Sequence, residues 1–184
     1  LFHAGVLANA MLSAGETAPA VELDDIDGDR HSLADALAAG PVLLAFFALD
    51  CLTCELSYDF WDRIHIAYAG AAFELWGVAL DDAESVRAFE QQSGVEFPLL
   101  LDEGLAVVRA YGPASTPALF LIEHGAVTAS HEGFDRLALN AIARTVAEHT
   151  GMPPIEIVPG EAPDLRPGCM VHDGSSFPPD EATG

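Results

Sequence analysis

The chain has no lysine, and this shortage of positive charge is its most unusual compositional feature. Seven arginines stand against 29 aspartates and glutamates, which gives a formal net charge of −22 over 184 residues. A surface of this sign repels phosphate backbones and anionic lipid, so we expect neither nucleic acid nor a membrane among the partners. The acidic residues are spread along the chain, which is typical of a solvated surface and not of an acidic binding arm.

The sequence also lacks an apolar run of the roughly 20 residues that a membrane-spanning helix needs. Residues 1–14 are apolar, but no basic residue precedes them. We therefore expect no signal peptide there and favour the cytoplasm, while an extracytoplasmic location stays open if a leader lies upstream. Hydrophobic residues make up 51% of the chain, enough to bury one full core.

The chain is predicted to form one domain with two appendages. We predict an N-terminal extension over 1–14, a single domain over 15–150 and a C-terminal tail over 151–184. The tail holds seven of the twelve prolines and little hydrophobic periodicity. We expect it to pack on the domain or on a partner subunit.

Buried strands alternate with amphipathic helices through the predicted domain. Continuous apolar runs predict strands at 41–48 and 73–80, and apolar residues recurring every four positions predict a helix over 52–69. Three more helices are predicted to begin after the N-cap residues Ser32, Asp82 and Asp135. A hairpin turn at His124-Gly125 is expected between two late strands. This order indicates an α/β fold, a central sheet with helices on both faces.

Cysteine is scarce, yet two of the three cysteines, Cys51 and Cys54, lie together where the first long strand meets a helix. A thiol in the first turn of a helix lies beside unpaired backbone N–H groups and the positive end of the helix dipole, and both lower its pKa. We therefore interpret Cys51 as a nucleophile. Cys54 lies one helical turn further on, where it can resolve a mixed disulfide.

Two structural alternatives compete with this interpretation. Inert buried thiols are common in protein cores, but they rarely fall together at such a junction. A metal site would need Cys169 and His172 in the tail to complete the ligand set, over a hundred residues away. We expect neither metal nor cofactor, because the chain has enough core without one. For Cys169 itself we favour a free or intersubunit thiol outside the catalytic unit.

Several segments, in this order along the chain, resemble a known superfamily: GETAPAVELDDIDGDRHSLADAL, FFALDCLTC, WGVALDD, VEFPLLLDEGLAVVRAYG and STPALFLI. They are similar to the thioredoxin-like proteins, and most of all to the TlpA-like thiol–disulfide oxidoreductases, neighbours of the alkyl hydroperoxide reductase and thiol-specific antioxidant (AhpC/TSA) group. The resemblance spans about 15–150. It implies a thioredoxin fold with an N-terminal hairpin extension, a protein or small-molecule disulfide as substrate, an upstream thiol reductant, and a homodimer as one possible assembly.

The resemblance also implies roles for single residues. It makes Cys51 the attacking thiol, Cys54 the resolving thiol and Thr116-Pro117 a cis-proline turn that lies against the disulfide. Such a turn leaves the backbone edge of residue 116 free to pair with a substrate. Without the resemblance, Pro117 would be interpreted as an ordinary proline at the start of a strand.

The sequence departs from the family pattern beside the cysteines. Asp50 stands where a tryptophan is usual, and Leu52-Thr53 replaces a pair that often contains proline. Asp50 and Glu55 place negative charge on both sides of the pair. Repulsion from one carboxylate about 6 Å away makes ionisation of a thiol less favourable by roughly 1 kcal/mol. We therefore expect a less acidic Cys51 than in typical relatives and a disulfide that is harder to reduce.

Peroxide reduction is the second function considered, because peroxiredoxins share the overall layout. Their pattern places a proline seven residues and a threonine three residues ahead of the reactive cysteine, as P-x-x-x-T-x-x-C. The equivalent positions here are Phe47 and Cys51 for Cys54, and Leu44 and Ala48 for Cys51, so neither register fits. A non-catalytic binding module is the third possibility, and the intact dithiol argues against it.

Overall fold

A five-stranded sheet organises residues 10–171, the part of the chain that the computed structural model describes. In spatial order its strands are β5 (Leu99–Leu101), β4 (Glu74–Ala79), β3 (Val42–Phe47), β7 (Ala118–Glu123) and β8 (Ala126–Glu132). The strands β3, β4 and β5 are parallel, whereas β7 is antiparallel to both β3 and β8. The carboxyl ends of the three parallel strands therefore share one edge of the sheet.

Five helices and six short strands complete the described chain. The helices are α1 (Leu33–Ala39), α2 (Leu52–Ala67), α3 (Ala83–Ser93), α4 (Ala106–Tyr111) and α5 (Arg136–Thr150). The short strands are β1 (Glu22–Asp24), β2 (Arg30–Ser32), β6 (Ser115–Thr116), β9 (Phe134–Asp135), β10 (Leu165–Arg166) and β11 (Cys169–Met170). Strands β1 and β2 form a hairpin ahead of the main sheet.

Alternate residues of β3 face two separate hydrophobic cores. Leu43, Ala45 and Phe47 pack in the core that contains α2 and α5, whereas Val42, Leu44 and Phe46 pack in the core that contains α1 and α4. Every residue of β3 is buried, because helices cover both faces of a strand at the centre of the sheet. The predicted α/β class, with helices on both faces of a central mixed sheet, is confirmed.

Side-chain caps fix where three helices begin. Ser32 Oγ accepts from the amide of Asp35 at 3.5 Å, and an Asp82 carboxylate oxygen accepts from the amide of Ser85 at 2.9 Å. Asp135 accepts from the first amides of α5. All three predicted N-caps are confirmed, since each supplies an oxygen to an amide that has no partner within its helix.

Residues 151–171 follow the surface of the domain back to the sheet edge. Asn140 on α5 binds the backbone of Ile157 and Val158, and Arg63 on α2 donates to the Ile157 carbonyl at 3.1 Å. Farther along, β10 pairs with β9, and β11 pairs with β6. Most of the predicted N-terminal extension lies outside the described residues, as does His172, the histidine of the metal site weighed above. Within 10–171, no helix combines the length and apolar character needed to cross a bilayer.

Candidate functional site

The predicted thiol pair lies where β3 ends and α2 begins. Cys51 has extended backbone dihedrals and is the N-cap of α2, and its Sγ accepts from the amide of Cys54 at 3.3 Å. Both side chains are buried, with 1% of Cys51 and none of Cys54 exposed. Leu52 between them is 79% exposed. The sulfur of Cys51 therefore takes the place of a capping oxygen at the positive end of a helix.

The Thr116–Pro117 turn lies against the same sulfur. Its peptide bond is cis, and the Cys51 thiol donates to the Thr116 carbonyl oxygen at 3.3 Å. Thr116 is buried in β6, directly before Pro117 and two residues before the start of β7. Cys51, Cys54, Thr116 and Pro117, four residues expected together from the sequence, thus meet at one place although 65 positions separate Cys51 from Thr116.

The two thiols of the pair have opposite pKa shifts. Burial raises the pKa of Cys51, but hydrogen bonds from the thiols of Cys169 and Cys54, the Cys54 amide and the Thr116 side chain outweigh it, so the pKa is lowered overall. Burial, together with the neighbouring Cys51 sulfur, raises the pKa of Cys54 far above its ordinary range. Cys51 is therefore the thiol that ionises first.

Cys169 lies inside this site, which corrects the interpretation that it lies outside the catalytic unit. It pairs with Thr116 across β11 and β6 and lines a cavity of about 260 Å³ together with Thr116, Asp50 and Asp81. All three cysteines are free thiols. The sequence-based interpretation failed because it had no means of predicting that the tail returns to the sheet edge.

A family model matches this chain over residues 14–130, a span that includes the thiol pair, Thr116 and Pro117. The model is that of the AhpC/TSA family. The chain belongs to the AhpC/TSA family. The predicted membership is therefore confirmed, over almost the same part of the chain as the resemblance read from its segments.

Two relatives of this AhpC/TSA family member have names that describe thiol–disulfide exchange. The protein ResA of Halalkalibacterium halodurans, called a thiol-disulfide oxidoreductase, is 31% identical over 135 residues, 72% of this chain and 76% of that protein. A Chlorobium tepidum crystal structure, assigned as the thiol:disulfide interchange protein DsbE, has 26% identity and a TM-score of 0.68. It covers 76% of this chain and 98% of that one.

The fold of the family member is that of thioredoxin. The thioredoxin domain of a Bacteroides vulgatus thiol-disulfide oxidoreductase matches it with a TM-score of 0.65 at 23% identity, over 73% of this chain and 99% of that one. At this identity the match shows the fold alone. The predicted thioredoxin fold is thereby confirmed.

The two acidic residues flanking the thiols differ in position. Asp50 is exposed and lines the cavity beside Thr116 and Cys169, whereas Glu55 is exposed on the first turn of α2. The Glu55 amide donates to the Cys51 carbonyl at 3.0 Å, which is an ordinary helical hydrogen bond. Of the two, Asp50 therefore faces the space where a substrate disulfide would enter.

Asp81 is the residue of this site that the sequence reasoning missed. It follows β4, lines the cavity and accepts from the Leu49 amide at 2.9 Å. Burial raises its pKa, the Leu49 amide lowers it, and the charges of Asp50 and Asp82 raise it further, so the pKa is raised overall. A signal existed, because an acidic residue directly after a buried parallel strand lies at the same sheet edge as the end of β3.

Proposed function

We propose that this protein is a thiol–disulfide oxidoreductase in which Cys51 attacks the substrate disulfide and Cys54 resolves the product. The asymmetry of the two thiols carries the proposal. Cys51 caps a helix, has a lowered pKa and touches the Thr116 carbonyl, whereas Cys54 is buried and has a raised pKa. A nucleophile needs the thiolate, and a resolving thiol is protected from premature reaction while it stays protonated.

The exchange transfers two electrons from the dithiol to the substrate. The Cys51 thiolate attacks one sulfur of the substrate disulfide, forms a mixed disulfide and releases the other sulfur as a thiolate, which takes up a proton. Cys54 then loses its proton and attacks Cys51 Sγ, which breaks the mixed disulfide and releases the second substrate thiol. The products are a Cys51–Cys54 disulfide and a substrate dithiol. An upstream dithiol reductant then exchanges with the Cys51–Cys54 disulfide, is itself oxidised to a disulfide and returns both cysteines to thiols.

Asp81 is proposed as the proton acceptor for Cys54. Its carboxyl group lies at the cavity and accepts from the amide of Leu49, two residues before Cys51. A carboxyl whose pKa is raised by burial can accept a proton closer to neutral pH than an ordinary aspartate. This assignment gives the resolution step a base that the dithiol itself lacks.

Thr116 is proposed to dock the substrate backbone. Both residues of its strand, β6, pair with β11, and backbone pairing of this kind is how extended peptides bind to sheet edges. The exposed Leu52 beside Cys51 offers an apolar contact to the same partner. These features suit an extended segment of protein carrying a disulfide better than a small polar molecule.

The test compares reduction of insulin disulfides by the wild type and by single-cysteine variants, with dithiothreitol as reductant. We expect Cys51→Ser to lose the protein-catalysed rate and Cys54→Ser to stall with Cys51 held in a disulfide. Consumption of hydrogen peroxide by the same samples separates this activity from peroxide reduction. Normal insulin reduction by Cys51→Ser would contradict the proposal, as would peroxide turnover far faster than disulfide exchange.

A further inference from the structure

The C-terminal tail occupies the sheet edge to which the proposed function assigns the substrate. We call residues 165–171 the tail strand. Cys169 pairs with Thr116 and Met170 with Ser115, antiparallel, and the Val171 amide donates to the Ala114 carbonyl at 3.0 Å. The tail strand therefore binds β6 by backbone pairing, which is the mode expected of an extended peptide substrate.

Glycines on both sides of this contact allow the close approach. A Cβ atom at Gly168 would lie 2.5 Å from Ser115 Oγ and 2.7 Å from the Thr116 carbonyl oxygen. On the domain side, a Cβ atom at Gly133 would lie 2.5 Å from the Arg166 carbonyl oxygen. No side chain fits at either position without movement of the backbone. The tail strand and the domain surface beneath it are therefore complementary in shape.

The first turn of α2 also holds the tail strand. Thr53, between the two thiols, donates its hydroxyl to the Pro167 carbonyl at 2.7 Å. Cys169 packs against the hydrophobic core that contains Cys51 and Cys54, and its partner on β6, Thr116, carries the carbonyl that accepts from the Cys51 thiol. Cys169 therefore presents its sulfur to Cys51 from the edge by which a substrate cysteine would arrive.

We propose that the tail strand is an internal substrate and that Cys169 exchanges with Cys51 as the third thiol of the site. This proposal rests on the proposed function, because it needs Cys51 as the exchanging thiol. In the oxidised protein, the Cys169 thiolate attacks Cys51 Sγ and forms a Cys51–Cys169 bond. The Cys51–Cys54 bond breaks, and Cys54 leaves as a thiolate that takes up the proton lost by Cys169. No electron is gained or lost overall.

External protein substrates must compete with the tail strand for β6. A protein disulfide that pairs with Thr116 must first displace Cys169 and its neighbours from β6. Because Cys169 is tethered to the domain, its effective concentration at Cys51 is high. An external substrate must bind β6 more tightly than the tail strand does in order to replace it. A tethered thiol of this kind favours substrates that compete for the whole strand over small disulfides that do not.

The proposal is tested by counting the pyridinethione molecules released per protein when it reacts with one molar equivalent of the neutral disulfide 2,2′-dithiodipyridine. In reduced Cys54→Ser protein, Cys51 releases one pyridinethione on forming the mixed disulfide, and attack by Cys169 then releases a second. We expect two pyridinethiones per protein and a Cys51–Cys169 disulfide by peptide mass mapping. Cys54→Ser/Cys169→Ser should release one and keep the pyridyl adduct on Cys51. Cys54→Ala repeats the measurement if the serine variant fails to fold.

Substitutions at two glycines of the tail test whether docking of the tail strand is needed for the second release: Gly168 is the test position and Gly160 the matched control. Gly168→Val in the Cys54→Ser background introduces the clash with Ser115 and Thr116, whereas Gly160→Val introduces a side chain at a tail position with no atom within 4 Å. We expect the second release to slow by at least about tenfold in the first variant and to stay unchanged in the second. Both variants keep all the thiols of the Cys54→Ser protein.

The outcomes separate the two proposals. A single release in Cys54→Ser, with a stable pyridyl adduct on Cys51, would overturn the internal substrate while leaving the oxidoreductase proposal intact. Equal rates for Gly168→Val and Gly160→Val would overturn the docking of the tail strand. Absence of any reaction at Cys51 in all variants would instead contradict the proposed function itself.

Discussion

The pKa of Cys51 is lowered and that of Cys54 is raised, although the two residues lie one helical turn apart. Cys51 gains hydrogen bonds from several donors that together exceed the effect of burial, whereas Cys54 has burial and a neighbouring sulfur acting in the same direction. The difference follows from position in α2. Both side chains lie in the same hydrophobic core, but the Cys51 sulfur also accepts from the Cys54 amide at the start of α2.

The pH dependence of alkylation should reflect this difference. Because the pKa of Cys51 is lowered, its iodoacetamide reaction should increase with pH through a midpoint below about 8.5, the value for free cysteine, and Cys54 should stay unreactive. Rates measured from pH 5 to 10 by peptide mass mapping give both profiles. The Cys51→Ser protein should lose the fast phase, and a Cys51 midpoint above that of free cysteine would contradict the assignment.

Asp81 should control the resolution step. Replacing it with asparagine removes the proposed base, so decay of the mixed disulfide should slow by about a hundredfold. In the wild type, decay should accelerate as pH rises through the raised pKa of Asp81, and this inflection should vanish in Asp81→Asn. Asp50→Asn is the matched control, since Asp50 lines the same cavity but makes no such contact with Leu49. Equal effects of the two changes would show that only local charge matters.

At the scale of elements, the side chain of Asn140 on α5 binds three backbone groups of the tail. Asn140 Nδ2 donates to the Val158 carbonyl at 2.9 Å, and its Oδ1 accepts from the amides of Ile157 and Val158 at 2.9 and 3.0 Å. Ile157 and Val158 are buried in the core that contains α2. Asn140 therefore satisfies backbone groups that have left water.

Asn140→Ala should destabilise the protein by about 2–3 kcal/mol, because it leaves buried amides and a carbonyl without partners. The free energy of unfolding from urea titration measures this loss. Thr145→Ala is the control, since the Thr145 hydroxyl binds only the Ala141 carbonyl of its own helix at a more exposed position. A loss no larger than that of the control would mean that the tail contributes little to stability.

The elements differed in how far the sequence could predict them. Buried strands and capped helices follow local rules, so β3, β4, α2 and the caps Ser32, Asp82 and Asp135 were predictable. The sequence does not predict strand β5, because three consecutive apolar residues are too few to show the periodicity of a strand. Strands β10 and β11 have two residues each and form only because the edges of β9 and β6 are available. The position of Cys169 depends on these edges and was therefore beyond sequence reasoning.

At the scale of the whole molecule, charge repulsion acts on every part of the fold. The net charge is −22, and within residues 10–171 the arginine–carboxylate pairs are mostly exposed, such as Arg30 with Glu22 and Asp24, and Arg87 with Asp27. Exposed pairs of this kind contribute about 0–1 kcal/mol each. Self-repulsion of the acidic surface therefore outweighs them.

Added salt should stabilise the protein. Between about 0.01 and 1 M NaCl the Debye length falls from roughly 30 to 3 Å, which screens repulsion between carboxylates spread over the surface. We expect the urea midpoint to rise with salt, and to rise equally in KCl. A fall in the midpoint would show that the arginine pairs matter more to stability than the surplus of negative charge.

The formation of one disulfide between Cys51 and Cys54 tests the central claim most directly. The measurement is a redox titration of the Cys169→Ser protein across a gradient of reduced and oxidised glutathione, with alkylation and peptide mass mapping at each point. The claim predicts a single two-electron transition in which Cys51 and Cys54 lose their free thiols together. Free thiols at both positions across the whole gradient, or oxidation of Cys51 without a bond to Cys54, would contradict it.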